Sequence, residues 1–309
     1  MDKIFIEEYD SKSFYTVYKY KDRIIYSPSK DLREKQKEIL NEIKKVFNLK
    51  LNTKQAAEVH CGKKWILKTD IKDFYESFSK TSLNIVIHKL SLELNEKTHC
   101  EIDEHTICRF CTLNGKLPTG ALTSAHIANY AFKVFGIDRE ITDYCNENGI
   151  NYSRYMDDLI FSAEKKLKLN YAEEFAQKLL KSSGFELNKE KTKYISDNKR
   201  QEVLGILVNN SEPVLSRIYK NEVRTMLYNY LKALKIEERL GTQTLFERKL
   251  TFQKVTGYMA YLKGTDEKYY EKMKEFLVSK INKLNLNRNE EIEKLSKVLK
   301  LKNVQLKLL

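Results

Sequence analysis

Alternating apolar and polar positions divide the first part of the chain into a hairpin, a helix and a strand. Residues 14–28 alternate β-forming with basic side chains and stop at Pro28, which predicts a β-hairpin. Residues 30–49 place their apolar side chains near helical spacing in an otherwise charged segment, which predicts an amphipathic helix. The apolar run Trp65–Asp70 predicts a buried strand, followed by a turn and a helix.

The rest of the chain continues this mixture up to Pro213 and is helical beyond it. Helical spacing recurs in four segments: residues 82–94, residues 106–113, the uncharged stretch after Pro118, and residues 170–184. Two further segments predict strand pairs: residues 150–163 and 201–210. Three or so amphipathic helices with Glu/Lys pairs follow Pro213. The pattern therefore predicts an α+β body over residues 1–210 and an all-helical domain over residues 211–309.

Composition adds a large core and an uneven surplus of positive charge. The 309 residues are 41% hydrophobic and 32% charged and include 19 Tyr and 14 Phe, so we expect a sizeable core. The formal net charge is +13, and residues 211–309 hold 21 Lys and Arg against 12 Asp and Glu. A basic C-terminal domain predicts a polyanionic partner, most commonly nucleic acid. The alternative is that lysine-rich helices only keep the chain in solution.

The sequence disfavours membrane and secreted proteins. The longest uncharged stretch, Leu117–Phe132, contains Pro118 and Gly120 and predicts no membrane-spanning helix. The first ten residues include acids where a signal peptide needs an apolar run, so we expect a cytoplasmic chain without a membrane partner. Five cysteines, an odd number, argue against a disulfide framework.

A cluster of histidines and cysteines has a spacing similar to that of zinc ligands. Its members are His99, Cys100, His105, Cys108 and Cys111. Cys108 and Cys111 fall in a predicted helix, where a buried cysteine acts as a small hydrophobic residue. We therefore expect these two cysteines to pack in the core, and metal binding by them stays open.

Two adjacent aspartates, Asp157 and Asp158, interrupt the predicted hairpin of residues 150–163. Like charges at an otherwise apolar tip repel each other, and a divalent cation relieves that repulsion. Asp70, at the end of the predicted strand, supplies a third carboxylate. Three carboxylates at one sheet edge could hold two Mg²⁺ about 3.5–4 Å apart, as in phosphoryl-transfer enzymes. A solvated turn is the alternative for such a pair of aspartates.

Six segments resemble, in order, the motifs of reverse transcriptases. They are Arg23–Pro28, Lys68–Tyr75, Leu117–Asn129, Tyr155–Asp158, Gly184–Thr192 and Val203–Leu207. The similarity spans roughly residues 14–280 and points to the compact bacterial retron-type enzymes and related antiphage reverse transcriptases. It implies a right-hand polymerase fold, with fingers and palm in residues 1–210 and a basic helical thumb in residues 211–309.

The resemblance implies a metal-binding triad of Asp70, Asp157 and Asp158, with the backbone carbonyl of Ile71 as a further ligand. Two Mg²⁺ ions are the implied cofactors, and Mn²⁺ is expected to substitute for them. Lys191 is implied as the group that protonates the pyrophosphate. A merely solvated lysine is the alternative.

The resemblance also implies a set of nucleotide contacts. Tyr75, preceded by Phe74, is implied as the aromatic gate that excludes a ribose 2′-hydroxyl, and a core tyrosine is the alternative. Arg23, with Lys21 or Lys19 on one face of the same predicted strand, would clamp the triphosphate, and a solvated hairpin face is the alternative. The remaining implied nucleotide-binding residues are Gly120, Tyr155 and Met156.

The implied activity is RNA-directed DNA polymerisation within a retron or another antiphage defence system. The implied partners are a structured noncoding RNA that provides template and primer, the RNA–DNA hybrid, dNTPs, and an effector or toxin protein. Two signatures typical of retron enzymes match with one mismatch each: Asn-Ala-x-x-His at Ala56–His60, where the asparagine is missing, and Val-Thr-Gly at Val203–Gly205, where the threonine is missing. A stand-alone reverse transcriptase with untypical priming is therefore an alternative. A catalytically idle RNA-binding scaffold is disfavoured by the three retained aspartates, and an RNA-synthesising polymerase or primase by Tyr75.

Overall fold

The computed structural model describes residues 14–20, 23–47, 52–98, 102–240, 252–286 and 289–302. Contacts along the chain group it into two compact units. The first holds the described residues up to Asn52 together with Lys63–Lys199, and the second holds Thr53–Gly62 with the described residues from Arg200 onward. The long segment of the second unit thus begins at Arg200, whereas the sequence predicts a domain that begins at residue 211. The assignment of these parts as fingers, palm and thumb stays a prediction.

The strands of the first unit form two antiparallel sheets. A two-stranded sheet pairs β1 (Tyr15–Tyr20) with β2 (Arg23–Pro28). A four-stranded sheet has the spatial order β4-β5-β3-β6, formed by β3 (Trp65–Asp70), β4 (Asn151–Tyr155), β5 (Asp158–Ala163) and β6 (Lys193–Ser196). The predicted hairpins over residues 14–28 and 150–163 and the predicted strand Trp65–Asp70 are confirmed.

Helices flank these strands in the first unit. They are α1 (Lys30–Val46), α3 (Lys80–Thr98), α4 (Glu104–Cys111), α5 (Ser124–Val134), α6 (Ile137–Glu147) and α7 (Lys166–Ser182). The Ser29 side chain caps α1 by accepting a hydrogen bond from the Leu32 amide (3.3 Å). Gly184, with φ +84°, follows the end of α7 in a conformation that glycine adopts without steric cost.

Four phenylalanines lie at the centre of the first unit's core. Phe74, Phe78, Phe132 and Phe185 are each at most 5% exposed. Their ring centroids lie between 5.0 and 6.3 Å apart, mostly in edge-to-face arrangements that aromatic pairs favour. Because Phe74 and Phe78 follow β3 directly, this packing fixes the chain as it leaves the sheet.

The first unit agrees with one expectation, departs from another and contains two elements that were not predicted. Turns over residues 72–77 and then helix α3, which starts at Lys80, follow β3, as the strand–turn–helix pattern predicts. Lys19 and Arg23 do not share one strand: the hairpin pairs Lys19 with Ile24 and Tyr20 with Arg23. Directly paired residues share a face and neighbours along a strand alternate, so Lys19 and Arg23 point to opposite faces. Helix α6 and strand β6 were not predicted.

The second unit contains a small sheet and a set of helices. The antiparallel sheet consists of β7 (Glu202–Val203), β8 (Ile206–Leu207) and β9 (Val214–Leu215). The helices are α2 (Thr53–Glu58), α8 (Arg217–Leu240), α9 (Phe252–Thr265), α10 (Glu267–Lys283) and α11 (Glu290–Leu299). Because β9 lies beyond Pro213, the expectation of an all-helical segment after residue 210 is wrong.

The combination of helices with antiparallel sheets confirms the α+β class. Within the described residues, none of the helices has the length and apolar character needed to cross a bilayer.

Candidate active site

Strand pairing brings the three predicted metal ligands to one end of the four-stranded sheet. β3 and β5 pair so that Asp70 lies directly opposite Asp158. In the β4–β5 hairpin Tyr155 pairs with Asp158, so Met156 and Asp157 form the two-residue turn between them. The Ile71 amide donates a hydrogen bond to the Asp157 carbonyl (2.9 Å), which joins this turn to the end of β3. The three aspartates therefore come together although 87 residues separate Asp70 from Asp157.

The carboxylates at this end of the sheet carry negative charge that the protein only partly compensates. Asp70 is 6% exposed. Its Oδ2 accepts a hydrogen bond from Lys191 Nζ (2.6 Å), whereas its Oδ1 is buried and has no hydrogen-bond partner among the described residues. Burial, then the nearby Asp157 and Asp70 charges, raise the pKa of Asp158, although Lys68 and Lys191 oppose this. Such a site favours an added cation.

The residues present fit a divalent cation. Carboxylate oxygens are hard ligands of the kind that Mg²⁺ takes, and the unpartnered Oδ1 of Asp70 is an unused one. Within the described parts of the chain, no three His, Cys, Asp or Glu side chains are grouped closely enough to form a cation site on their own. Mg²⁺ usually binds through one or two carboxylates together with substrate phosphates and water, so an incomplete set of protein ligands is expected.

The turn carrying Asp157 has a strained backbone that neighbouring side chains hold. Met156 has φ +58°, a conformation that costs about 1–3 kcal/mol for a residue of this kind. Its carbonyl accepts a hydrogen bond from Arg154 Nη1 (2.7 Å), and Asn129 Nδ2 lies 3.0 Å from its sulfur. Arg154 in turn forms an ion pair with Asp138 (2.6 Å).

Sequence reasoning missed Arg154, Asp138 and Asn129 as parts of this site. Tyr152 and Arg154 lie on one face of β4, and an arginine on the same face as a partly buried tyrosine was the available signal. No local signal marks Asp138, because its partner lies 16 residues later in the sequence.

The two aromatic residues after β3 differ in their surroundings. The Tyr75 ring is partly buried against the core, 5.3 Å from the Phe74 ring. Burial, followed by the Asp157 and Glu76 charges, raises the pKa of Tyr75 to about 12, so its hydroxyl stays protonated at neutral pH. Phe74 is 5% exposed within the core, and its ring therefore has little surface for the nucleotide contact expected from the sequence.

Gly120 is required by a close approach to a strand of its own chain. It has φ +109°, and a Cβ added there would lie 2.7 Å from the Tyr26 carbonyl oxygen. The Tyr26 amide also donates to the Thr119 carbonyl (2.7 Å). The glycine therefore lets the loop before α5 dock on β2, and the nucleotide contact that the resemblance implies for Gly120 stays a prediction.

Gln36 also makes hydrogen bonds that hold the loop before α5. It is fully buried, its Oε1 accepts from the Leu122 amide (3.1 Å), and its Nε2 donates to Tyr15 Oη (2.8 Å) and the Phe110 carbonyl (2.9 Å). Helical spacing gave no reason to single out this polar residue on a charged helix. Of the two basic residues predicted to contact the triphosphate, Arg23 is exposed on β2, and Lys21 lies outside the described residues.

The sequence matches the family of reverse transcriptases (RNA-dependent DNA polymerases) over residues 15–208. This match covers more than half of the chain and contains every segment that positions the three aspartates. The chain belongs to the reverse transcriptase family. It is therefore an RNA-directed DNA polymerase, and its α+β architecture is the polymerase fold expected from the motifs.

Curated relatives of this reverse transcriptase include several retron enzymes. The Escherichia coli retron Ec86 reverse transcriptase is 25% identical over 84% of this chain and 77% of its own length. The Ec48 enzyme of the same species is 24% identical over 74% of this chain, which spans about half (54%) of that relative. The Myxococcus xanthus retron Mx65 enzyme is 27% identical over 60% of this chain and 45% of its own length. The resemblance to retron-type enzymes is thereby confirmed.

Two solved structures are also similar to this reverse transcriptase. Telomerase from Candida albicans, in complex with a fragment of telomeric RNA, has a TM-score of 0.46 and 12% identity over 92% of this chain and 65% of that chain. Apo telomerase from Candida tropicalis has a TM-score of 0.43 and 15% identity over 68% of this chain and 56% of that chain.

The cysteines with zinc-like spacing lie in and beside the core. His99 and Cys100 lie outside the described residues. Cys111 is fully buried, and burial raises its pKa to about 12, so it is a thiol and not a thiolate at neutral pH. Cys108 is partly buried against the same core, as expected for a packing residue.

The second unit presents cations next to aromatic rings on α8 and α10. Arg224 lies 5.1 Å from the Phe276 ring, and Lys280 lies 5.4 Å from the Tyr228 ring. Together with Asn221 and Thr225 these residues line a cavity of about 450 Å³. We call this group the α8–α10 basic surface.

Proposed function

We propose that this reverse transcriptase copies a structured noncoding RNA into DNA by two-metal nucleotidyl transfer, within a retron or another antiphage defence system. The observation that carries the proposal is the pairing of β3 with β5, which sets Asp70 opposite Asp158 and beside the turn carrying Asp157. The retron enzymes among its relatives support the biological setting.

Asp70, Asp157 and Asp158, with the Ile71 carbonyl, are the proposed ligands of two Mg²⁺ ions, for which Mn²⁺ can substitute. When bound, such ions activate the attacking 3′-hydroxyl and stabilise the charge that develops on the leaving pyrophosphate. Lys191 is the proposed proton donor to that pyrophosphate. Its side chain is 53% exposed while its ammonium group contacts Asp70, so it can reach a phosphate without leaving the site.

Nucleotide selection is proposed to rest on the residues around the aspartates. Tyr75 would select deoxynucleotides by placing its ring where a 2′-hydroxyl would lie. Its raised pKa keeps the hydroxyl uncharged beside Asp157, so the ring adds no negative charge next to the triphosphate. Tyr155 and Met156 would contact the nucleotide or primer end from the turn. Arg23 and Lys21 would neutralise the triphosphate, and Gly120 would shape the loop facing the template.

The nucleic-acid partners are proposed to include the RNA template and primer and the RNA–DNA hybrid. The second unit supports this, because cations stacked on aromatic rings suit both the phosphates and the unpaired bases of RNA. An effector or toxin protein would complete the defence system.

One observation favours a second candidate, a stand-alone reverse transcriptase with its own RNA. The segment Ala56–His60 lacks the asparagine of the retron signature. His60 in this segment is fully buried, and burial lowers its pKa to about 3, so it is a neutral internal residue and not an RNA-binding cation. The alanine and histidine that match the signature are therefore explained by packing.

The test is to purify the full chain with its bound nucleic acid and sequence that nucleic acid. A defined noncoding RNA joined to, or accompanied by, complementary DNA is expected for a retron. Incorporation of dNTPs on this RNA without complementary DNA joined to it would favour the stand-alone enzyme. No incorporation on any RNA template in the presence of Mg²⁺ or Mn²⁺ would contradict the proposed function.

A further inference from the structure

The strained turn that carries Asp157 depends on its surroundings. Met156 has a positive φ, which glycine would adopt freely and most other residues avoid. A conformation of this kind persists only where neighbouring groups hold it. The contacts of Met156 therefore decide where the Asp157 carboxylate lies relative to Asp70 and Asp158.

Arg154 makes a side-chain hydrogen bond to this turn, in addition to the backbone hydrogen bond from Ile71. Its Nη1 donates to the Met156 carbonyl (2.7 Å), while its Nε and Nη2 donate to the two carboxylate oxygens of Asp138 (2.7 and 2.6 Å). The guanidinium carbon also lies 4.2 Å from the centre of the Phe132 ring. One planar group thus ties the catalytic turn to the first turn of α6 and to α5.

The arrangement leaves Arg154 little capacity to bind a nucleotide. The side chain is 7% exposed, and all three of its nitrogens already donate within the protein. Tyr152 Oη also donates to Asp138 Oδ1 (3.1 Å). This hydrogen bond holds the carboxylate to which Arg154 donates. The network therefore faces the protein and acts on the site through the turn.

We infer that Arg154 is a positioning residue: with Asp138 it fixes the Met156–Asp157 turn and thereby the carboxylate of Asp157. The inference rests on the proposed role of the aspartates in cation binding. A buried ion pair adds little net stability compared with apolar packing, whereas the planar guanidinium fork restricts orientation strongly. Its effect is therefore expected in metal affinity and not chiefly in folding.

Arg154→Lys is the first test, because lysine keeps the charge beside Asp138 but lacks the planar fork that reaches Asp138 and Met156 together. Binding of Mn²⁺ to the full chain without nucleotide is measured by EPR titration. We expect the Mn²⁺ affinity of the variant to be about 10-fold to 100-fold lower than that of the wild type. The Mg²⁺ concentration that half-saturates dNTP incorporation should rise by a similar factor. Arg139→Lys, at an exposed arginine on α6, is the matched control and should change neither quantity.

Asp138→Asn tests whether the effect passes through the ion pair. Within the part of the chain that the structure describes, the hydrogen bonds of Asp138 reach the turn through Arg154, so this variant should weaken Mn²⁺ binding in the same way. The double variant Asp138→Asn with Arg154→Gln removes both charges and buries no unpaired one, which keeps a folded protein available if a single variant unfolds. A folded double variant whose Mn²⁺ affinity stays within about twofold of the wild type, against the tenfold or more expected, would overturn the inference.

Different experimental results would contradict the inference and the proposed function. A wild-type protein that binds Mn²⁺ but incorporates no dNTP contradicts the polymerase function, and the Mn²⁺ affinities of the variants still decide the role of Arg154. An active wild type together with unchanged Mn²⁺ affinity and Mg²⁺ dependence in Arg154→Lys contradicts only the positioning role.

Discussion

The two units concentrate charges of opposite sign, the first in a buried site and the second on a surface. At the sheet end of the first unit, negative charge is buried: Asp70 is 6% exposed and one of its oxygens has no hydrogen-bond partner among the described residues. On the α8–α10 basic surface of the second unit, positive charge lies beside aromatic rings, with Arg224 and Lys280 each about 5 Å from a ring centre.

Under the proposed function the first region carries out the chemistry and the second holds the nucleic acid. Buried like charges destabilise a fold unless a cation joins them, so the first region is expected to bind a cation. Cations stacked on rings at a surface cost little and can meet phosphates or bases at many positions. Breaking the first region should therefore abolish the reaction, and breaking the second should weaken binding gradually.

The largest effect is expected from loss of one carboxylate. Asp157→Ala or Asp70→Asn should lower dNTP incorporation on an RNA template by about a hundredfold or more, because a metal ion supplies several kcal/mol of transition-state stabilisation. RNA binding and folding should survive. Incorporation is measured with radiolabelled dNTPs and RNA binding by filter retention.

Asp143→Asn is the matched control, since Asp143 is an exposed acid on α6 outside the site, and it should keep full activity. A folded Asp157→Ala protein that retains more than about one tenth of wild-type incorporation would show that this carboxylate does not bind a catalytic metal.

The next largest effect of a substitution is expected on the salt dependence of RNA binding by the second unit. If half a dozen basic residues contact phosphates, RNA affinity should fall roughly a thousandfold between 50 and 200 mM salt. Arg224→Gln with Lys280→Gln should lower the slope of log affinity against log salt by about 0.7–0.9 for each phosphate that is no longer neutralised. Binding is measured by fluorescence anisotropy over a salt series, with a structured RNA and with random RNA.

Lys166→Gln is the control for this pair of substitutions. Lys166 also lies over aromatic rings, Trp65 and Tyr194 (5.7 and 5.2 Å), but in the first unit. Its replacement should leave the salt slope unchanged. An unchanged slope in the Arg224→Gln/Lys280→Gln variant would instead mean that the α8–α10 basic surface is only solvated and that the RNA is held elsewhere.

The contrast between the units also explains how much the sequence could predict. An apolar run identified β3, an apolar–acid–apolar pattern identified the β4–β5 hairpin, and the adjacent acids in that hairpin pointed to a candidate cation site. Contacts between distant segments left no such pattern. The partner of Arg154 lies 16 residues away, and Gln36 is fully buried although its helix is mostly charged.

The same limit applies to the first hairpin and to the division of the chain. A strict alternation of basic residues at positions 19, 21 and 23 suggested one strand, but β1 ends at Tyr20 and its partner β2 begins at Arg23. Thr53–Gly62 joins the second unit although the first unit continues after it, and this long-range grouping depends on packing that no local window contains.

A smaller effect is expected at Tyr75. Tyr75→Ala should raise incorporation of rNTP relative to dNTP about 10-fold to 100-fold, because a steric clash of about 1–3 kcal/mol is relieved. Competing rNTP and dNTP on one RNA template measure this ratio. Tyr75→Phe keeps the ring and should retain the wild-type preference. Unchanged sugar discrimination in Tyr75→Ala would make Tyr75 a core residue only.

The smallest effect is on stability, and it follows from the raised pKa of Asp158. Burial and the neighbouring aspartates disfavour its charged form, so the folded protein is penalised at pH values above that pKa. Without metal, Asp158→Asn should therefore raise the free energy of unfolding at neutral pH by up to about 1 kcal/mol, a modest value because the side chain is partly screened by solvent. As the pH falls through the pKa of Asp158, the wild type takes up a proton, and the difference in the free energy of unfolding between the two proteins should vanish.

Urea unfolding in the presence of a chelator, from about pH 8 to about pH 4, measures the free energy of unfolding of both proteins as a function of pH. Parallel curves, or a less stable Asp158→Asn protein at neutral pH, would show that the carboxylates at this end of the sheet do not repel each other.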